Sequence, residues 1–314
     1  MIARVSRTQI PLLTTLAVLV VFYTVASCRY TGFFSWGVFV NLLRDNSFLG
    51  LAAIGMTFVI LGGGIDLSVG AMVGFTSILV ARLSENHVHP LLAIALVLAL
   101  GAGFGCAVGA LIRLAALPPF LVTLAGMFFL RGLGLVVSLE TITIKHRMYD
   151  AINDFALFPV TAILFLASLA AAVYLAHYTP FGRAVYAIGG NEQSALLMGL
   201  PVGRTQVLLY ALSGFCSALA GVTYTLYTSS GNATAGTMLE LDAIAAVVIG
   251  GTLLSGGVGY ILGTFIGVLI LGVIQTIITF EGSLSSWWTK IAVGVLLLAF
   301  ILLQRFLQSR QATK

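Results

Sequence analysis

The stretch LLAIALVLALGAGFGCAVGALI, Leu91 to Ile112, contains no Asp, Glu, Lys, Arg or His. A bilayer's hydrocarbon core is about 30 Å thick, and an α-helix of roughly 20 residues crosses it with every backbone group bonded internally. The run is therefore read as a spanning helix, and runs like it recur along the chain. With 60% of the 314 residues hydrophobic and 8% charged, little sequence is left for a separate soluble domain. The expected architecture is an all-α polytopic membrane protein, a single transmembrane domain over residues 1–314.

Gly, Pro and charge punctuation divides the chain into ten expected spans: 10–28, 46–61, 66–83, 90–113, 120–139, 156–177, 206–228, 240–257, 260–280 and 287–306. Arg4 and Arg7 before a run ending in VASC, Val25 to Cys28, resemble a lipoprotein signal; the segment is read instead as the first anchor. An even count puts both termini on one side. Arg4, Arg7, Arg305, Arg310 and Lys314 lie in those termini, so that side is expected to be cytoplasmic. Trp287 and Trp288 fit an interfacial belt, with Lys290 able to snorkel beside them.

Several functions are excluded. The net charge of +5 comes from scattered basic residues at span ends, which topology explains, and no nucleic-acid partner is expected. Cys28, Cys106 and Cys216 show no CxxC pairing and read as packing residues. No GxGxxG follows a strand, no phosphate loop occurs, and no GxSxG, HExxH or DFG is present. His146 and His177 are isolated, and neither a cofactor nor a catalytic centre is expected.

Two glycine series repeat every fourth residue: Gly101, Gly105 and Gly109, then Gly259, Gly263 and Gly267. They read as seams for close helix contact. GGGIDLSVGAMVG, Gly62 to Gly74, and LELDAIAAVVIGG, Leu239 to Gly251, each place a Gly eight residues after an Asp. Paired breaks of this kind suggest two related halves with a pathway near the breaks. Asp66, beside Ser68, is read first as a helix cap and second as a substrate contact. Glu240 and Asp242 read as either a solvated rim or the mouth of a polar path, with the mouth favoured. Asn46, Thr57, Thr123, Asn232, Ser255 and Gln275 carry side chains that hydrogen-bond a neutral polyol, and each one singly reads as an interhelical contact. Arg131 is expected to snorkel or to pair with Glu140.

FGRAVYAIGGNEQSALLMGLP, Phe181 to Pro201, stands apart as a short polar helix between apolar runs. Asn191 is a good N-cap, Glu192 sets negative charge in the first turn, Gly199 suits a left-handed stop and Pro201 prevents continuation. A helix of about seven residues, ~10 Å, is marginal alone and needs packing. Leu196, Leu197 and Met198 then offer an apolar surface to the membrane domain or a partner, and a docking element is favoured over a plain connector.

LGGGIDLSVGAMVGF, FGRAVYAIGGNEQSALLMGL and ELDAIAAVVIGGTLLSGGVG, in this order, resemble the permease subunits of bacterial ribose-type sugar ABC importers over essentially the whole chain. LRDNSFLGLAAIGMTFVIL, LAGMFFLRG and EGSLSSWWTKIAVG narrow the resemblance toward the permeases of galactofuranose importers of enteric bacteria. The resemblance implies that Gly182, Arg183, Ala187, Gly190, Asn191, Glu192, Ala195 and Gly199 belong to a cytoplasmic coupling loop, about residues 180–204, seated on an ATP-hydrolysing subunit. It further implies a second permease chain, identical or sibling, a periplasmic sugar-binding protein, and a place among the lipids of the inner membrane. It assigns no substrate-lining residue. A permease for ribose, another aldose or an autoinducer sugar stays open, as does a gradient-driven secondary transporter, which has no need of a docking helix.

Overall fold

The computed structural model describes residues 10–145, 149, 158–283, 285 and 287–312. Arg4, Arg7, His146 and Lys314 lie outside the described residues, as do the side chains of Arg305 and Arg310. In chain order the helices are α1 (Ile10–Arg29), α2 (Trp36–Asp45), α3 (Ser47–Leu61), α4 (Val69–Glu85), α5 (Pro90–Leu114) and α6 (Pro119–Val137). They continue as α7 (Val160–Tyr178), α8 (Pro180–Gly190), α9 (Glu192–Leu197), α10 (Val202–Thr228), α11 (Leu239–Ile249), α12 (Ile261–Glu281) and α13 (Trp287–Ala312). Strands β1 (Ile142–Thr143) and β2 (Ser230–Gly231) form one short antiparallel pair, with Ile142 opposite Gly231.

Helix α10 is the axis of the bundle and packs on α5, α3 and α4. In lipid, helices gain little from hydrophobic exclusion and hold together by close packing, so small residues decide where they meet. A Cβ on Gly105 would come within 2.0 Å of the Tyr210 carbonyl, and one on Gly101 within 2.6 Å of the Gly214 carbonyl. The first glycine series is thus the α5–α10 seam. The second joins α12 to α11, where a Cβ on Gly263 would sit 2.1 Å from the Gly250 carbonyl. The core between these seams holds Leu51, Met56 and Phe58 of α3, Phe165 of α7, Ile249 of α11 and Ile261 of α12, all buried. Of the three cysteines only Cys216 packs there; Cys28 and Cys106 are exposed on the outer faces of α1 and α5, not packed as expected.

Six described helices, α1, α5, α6, α7, α10 and α12, are long and apolar enough to cross a membrane, or seven if α2 and α3 form one bent span, against ten expected. Helices α2 and α3 meet at 53° across Asn46. The Asn46 side chain donates 2.9 Å back to the Leu42 carbonyl, and such local bonding competes with helix continuation. The stretch 240–257, expected as a full span, is an 11-residue helix followed by turns. At 1.5 Å per residue α11 reaches only about 16 Å, half a bilayer. It starts after Met238 at φ +67° and stops at Gly250, followed by Gly251 at φ +92°. Helix α4, of 17 residues, is short and largely buried.

Candidate functional site

Two sites lie at opposite ends of α10, whose 27 residues span about 40 Å. At its N-terminal end, Thr179 closes α7 and opens α8. Its hydroxyl donates to the Leu175 carbonyl at 2.6 Å and accepts from the Gly182 amide at 3.2 Å. Gly182, Ala184, Val185 and Ile188 are the buried face of α8, while Arg183 and Gly190 are exposed and Ala187 is partly buried.

Helix α9 begins with the expected cap, the Asn191 Oδ1 accepting from the Ser194 amide at 2.8 Å. It ends in a Schellman motif. The Leu200 amide donates to the Ala195 carbonyl at 3.1 Å and the Gly199 amide to the Leu196 carbonyl at 3.0 Å, with Gly199 at φ +77°. Ala195 is fully buried against Ile188 and Val202, with Leu200 packed beside them. The next three residues face outward, Leu196 at 56%, Leu197 at 88% and Met198 at 68% exposure. Glu192 meets Arg113, at the end of α5, at 3.4 Å. Both are exposed, so the contact orients more than it stabilises.

The base of this segment abuts two chain breaks. A Cβ on Gly189 would lie 1.8 Å from the Leu61 carbonyl and 2.6 Å from the Gly257 amide nitrogen, and that amide itself donates to Leu61 at 2.9 Å. The Tyr186 hydroxyl donates to the Gly259 carbonyl at 3.0 Å. Burial first, and Tyr260 second, push this phenol up to about 12, so it keeps the donated proton at physiological pH. The end of α8 thus touches both the end of α3 and the turn between α11 and α12.

At the far end of α10 lies a cavity of about 730 Å³, within the ~300–1,000 Å³ range of small-molecule sites. Helix α2 contributes Asn41 and Asp45, α10 contributes Tyr224 and Tyr227, and Asn46 and Thr237 stand at chain breaks. Gln275, Thr276 and Thr279 of α12 and Trp287 and Lys290 of α13 complete the wall. Lys290 donates to Asp242 at 2.6 Å, an ion pair at the cavity rather than a snorkelling cation. Asp45 lies against the Tyr227 hydroxyl, and the Arg44 guanidinium is 5.3 Å from the centre of the same ring.

Among the residues singled out in the sequence, Asn46, Asp242, Gln275, Trp287 and Lys290 come together here. The others are placed elsewhere. Thr57 donates to the Ala53 carbonyl at 2.6 Å and contacts the Thr264 hydroxyl at 2.7 Å, tying α3 to α12. Asp66 is buried and accepts from the Ser68 amide at 2.9 Å, the Ser68 hydroxyl at 2.6 Å and the Ser213 hydroxyl of α10 at 2.7 Å. Thr123 donates to the Pro119 carbonyl at 3.0 Å. Asn232 bonds Thr234 and Thr141 beside the strand pair, and Ser255 is exposed in the turn before α12. Arg131 pairs not with Glu140 but with two loop carbonyls, Ala233 and Ala235, each at 2.9 Å. Asn41, Asp45, Tyr224, Tyr227 and Thr237 were not singled out, because no local pattern marks them as neighbours.

Spanning helices interrupted by breaks, a polar cavity at one end and an apolar, capped helix exposed at the other define a multi-pass membrane transport subunit. The chain belongs to the family described as branched-chain amino acid transport system / permease component, matched over residues 38–301. It is 50% identical over 305 residues to the inner membrane ABC transporter permease protein YjfF of Escherichia coli (strain K12), covering 95% of this chain and 92% of that one. It is 46% identical to the ribose import permease protein RbsC of Bacillus subtilis (strain 168), covering 85% and 84%. Against the fructose import permease protein FruG of Bifidobacterium longum (strain NCC 2705) the identity is 36%, over 96% and 92%. No solved structure matches the chain.

Proposed function

We propose that this chain is the membrane-spanning subunit of an ATP-binding-cassette importer that carries a monosaccharide, galactofuranose, across a bacterial inner membrane. The observation that carries the reading is α9: a six-residue helix, locked by an Asn191 cap and a Gly199 stop, that holds Leu196, Leu197 and Met198 outward. A gradient-driven carrier has no use for such a knob. An ATPase subunit with a matching apolar groove does. The sugar import named for RbsC and FruG supports a monosaccharide; galactofuranose rests on the resemblance of EGSLSSWWTKIAVG to galactofuranose permeases.

In this reading the α9 end is cytoplasmic, with Arg113, Arg183 and Arg204 on that side, and both termini are cytoplasmic as well. ATP hydrolysis belongs to the separate subunit. ATP binding there moves α8 and α9, and the joint at Gly189 carries the motion to the end of α3 and the turn between α11 and α12, shifting the bundle between outward- and inward-facing states. A second permease chain completes the core, and a periplasmic binding protein delivers the sugar.

The test is uptake of labelled galactofuranose into cells holding this chain with its ATPase and binding protein. Uptake is expected to stop on ATP depletion and to persist when the proton gradient is collapsed at constant ATP. Dependence on the gradient alone contradicts the reading, and ribose entering in preference to galactofuranose overturns the substrate.

A further inference from the structure

We propose that the cavity at the far end of α10 is a weak-binding station for one uncharged monosaccharide, selective against acidic sugars; the inference rests on the transport reading above and assigns it a place. Both chain discontinuities of the outer half converge there. The α2–α3 bend supplies Asn46, and the half-helix α11 presents its first turn, with Asp242, after the left-handed Met238. In transporters, interrupted helices are where substrates are held, because they bring directional polar groups to membrane depth.

The lining has the chemistry of a polyol site. Asn41 and Gln275 carry side-chain amides with no hydrogen-bond partner among the described residues, and each offers a donor and an acceptor to a hydroxyl. Asp45 supplies a carboxylate that can accept from adjacent hydroxyls, and Thr279 a hydroxyl. Trp287 and Tyr224 line the cavity with aromatic rings, a surface suited to the C–H side of a sugar ring. The contrast with a second cavity is informative. That cavity, about 640 Å³ between α1, α2 and α12, is walled chiefly by Leu19, Val20, Phe39, Leu42, Leu269 and Val273 and offers a polyol almost nothing.

Charge sets the selectivity. Lys290 is committed to Asp242, and Asp45 shares the Tyr227 ring with Arg44, so no cation of the lining is left uncommitted. A uronic acid would have to place its carboxylate beside Asp45 with no lining cation to receive it, whereas a neutral sugar would not. Weakness is a requirement of the site, since a station that held the sugar tightly would not pass it on.

The test uses the intact permease–ATPase complex in lipid vesicles, with C28S and C106S removing the exposed thiols and Thr279→Cys placing a thiol in the cavity. A charged thiosulfonate reagent reports its accessibility, and D-galactose, whose solution equilibrium includes the furanose ring, is the probe. Galactose at about ten times its Kd is expected to slow modification about tenfold, from simple occupancy. D-Galacturonate is expected to give no protection, and Leu139→Cys, at the same end outside the cavity, is expected to react at one rate throughout.

Independently, Gln275→Leu is expected to raise the KM for ATP-driven uptake about fivefold, from loss of one net hydrogen bond. Unprotected Thr279→Cys in vesicles that import sugar on ATP, or an unchanged KM in Gln275→Leu, overturns the station while leaving the importer reading intact. Protection equal for galactose and galacturonate overturns the charge selection. Protection of Thr279→Cys together with gradient-driven uptake supports the station and sinks the ATP-driven reading.

Discussion

The two ends of α10 are built on opposite principles. The end proposed to dock is local: cap, exposed surface and stop lie between Asn191 and Leu200 and are held by hydrogen bonds spanning a few residues. The cavity end is assembled from residues as far apart as Val38 and Val293, on six helices and the breaks between them. A lever must keep its own shape while its surroundings move, and local bonding does that. A passage must change shape, and walls drawn from separate elements can separate.

The joint between the two should show the largest effect. Gly189→Val places side-chain atoms on the Leu61 carbonyl and the Gly257 amide, backbone that cannot swing aside. A loss of about 3 kcal/mol or more in detergent unfolding is expected, with uptake abolished. Gly190, one residue on, has open space where a Cβ would stand, and Gly190→Ala is expected to change the unfolding midpoint little. Equal effects from the two substitutions would mean that the joint is not the rigid link.

Within the end proposed to dock, a Cβ at Gly199 meets no atom within 4 Å, yet Gly199→Val must adopt φ +77°, a conformation costing a β-branched residue about 1–2 kcal/mol. Asn191→Ala removes the cap at about 1 kcal/mol. Both are expected to leave the chain inserted and to weaken ATPase association, read by co-purification. Undiminished association would separate the capped geometry from docking.

The smallest effect is expected at the Arg113–Glu192 pair, exposed and 3.4 Å apart. Arg113→Ala should cost no more than about 0.5 kcal/mol and lose that difference in high salt. A larger, salt-resistant loss would show that α5 and α9 move as one body.

The same contrast explains what was legible in the sequence. Caps and stops are written in residue types at fixed offsets, so Asn191, Gly199 and the glycine seams could be read directly. The span count could not, because apolar length does not distinguish a crossing helix from a half-crossing one. The stretch 240–257 is apolar enough, yet α11 ends at Ile249, where paired glycines follow. Long-range partners were equally hidden. Arg131 reaches the Ala233 and Ala235 carbonyls through the space that Gly74 leaves, where a Cβ would lie 2.5 Å from Ala233 and 2.9 Å from the guanidinium. The Lys290–Asp242 pair joins α13 to α11, and no periodicity encodes that meeting. Asp66 and Asp242, which match in sequence, are held differently: one takes three bonds from two serines inside the bundle, the other pairs with a lysine at the cavity wall.

The central claim, that α9 is the contact with an ATPase, is tested most directly by a photo-crosslinker at Leu197, which is 88% exposed and whose replacement disturbs no packing. Leu139, 83% exposed at the opposite end, serves as the control. A crosslink from position 197 to the ATPase subunit in intact cells, with none from 139, is the expected result. ATP-driven uptake with no crosslink from 197, or with the ATPase captured from 139, would contradict it.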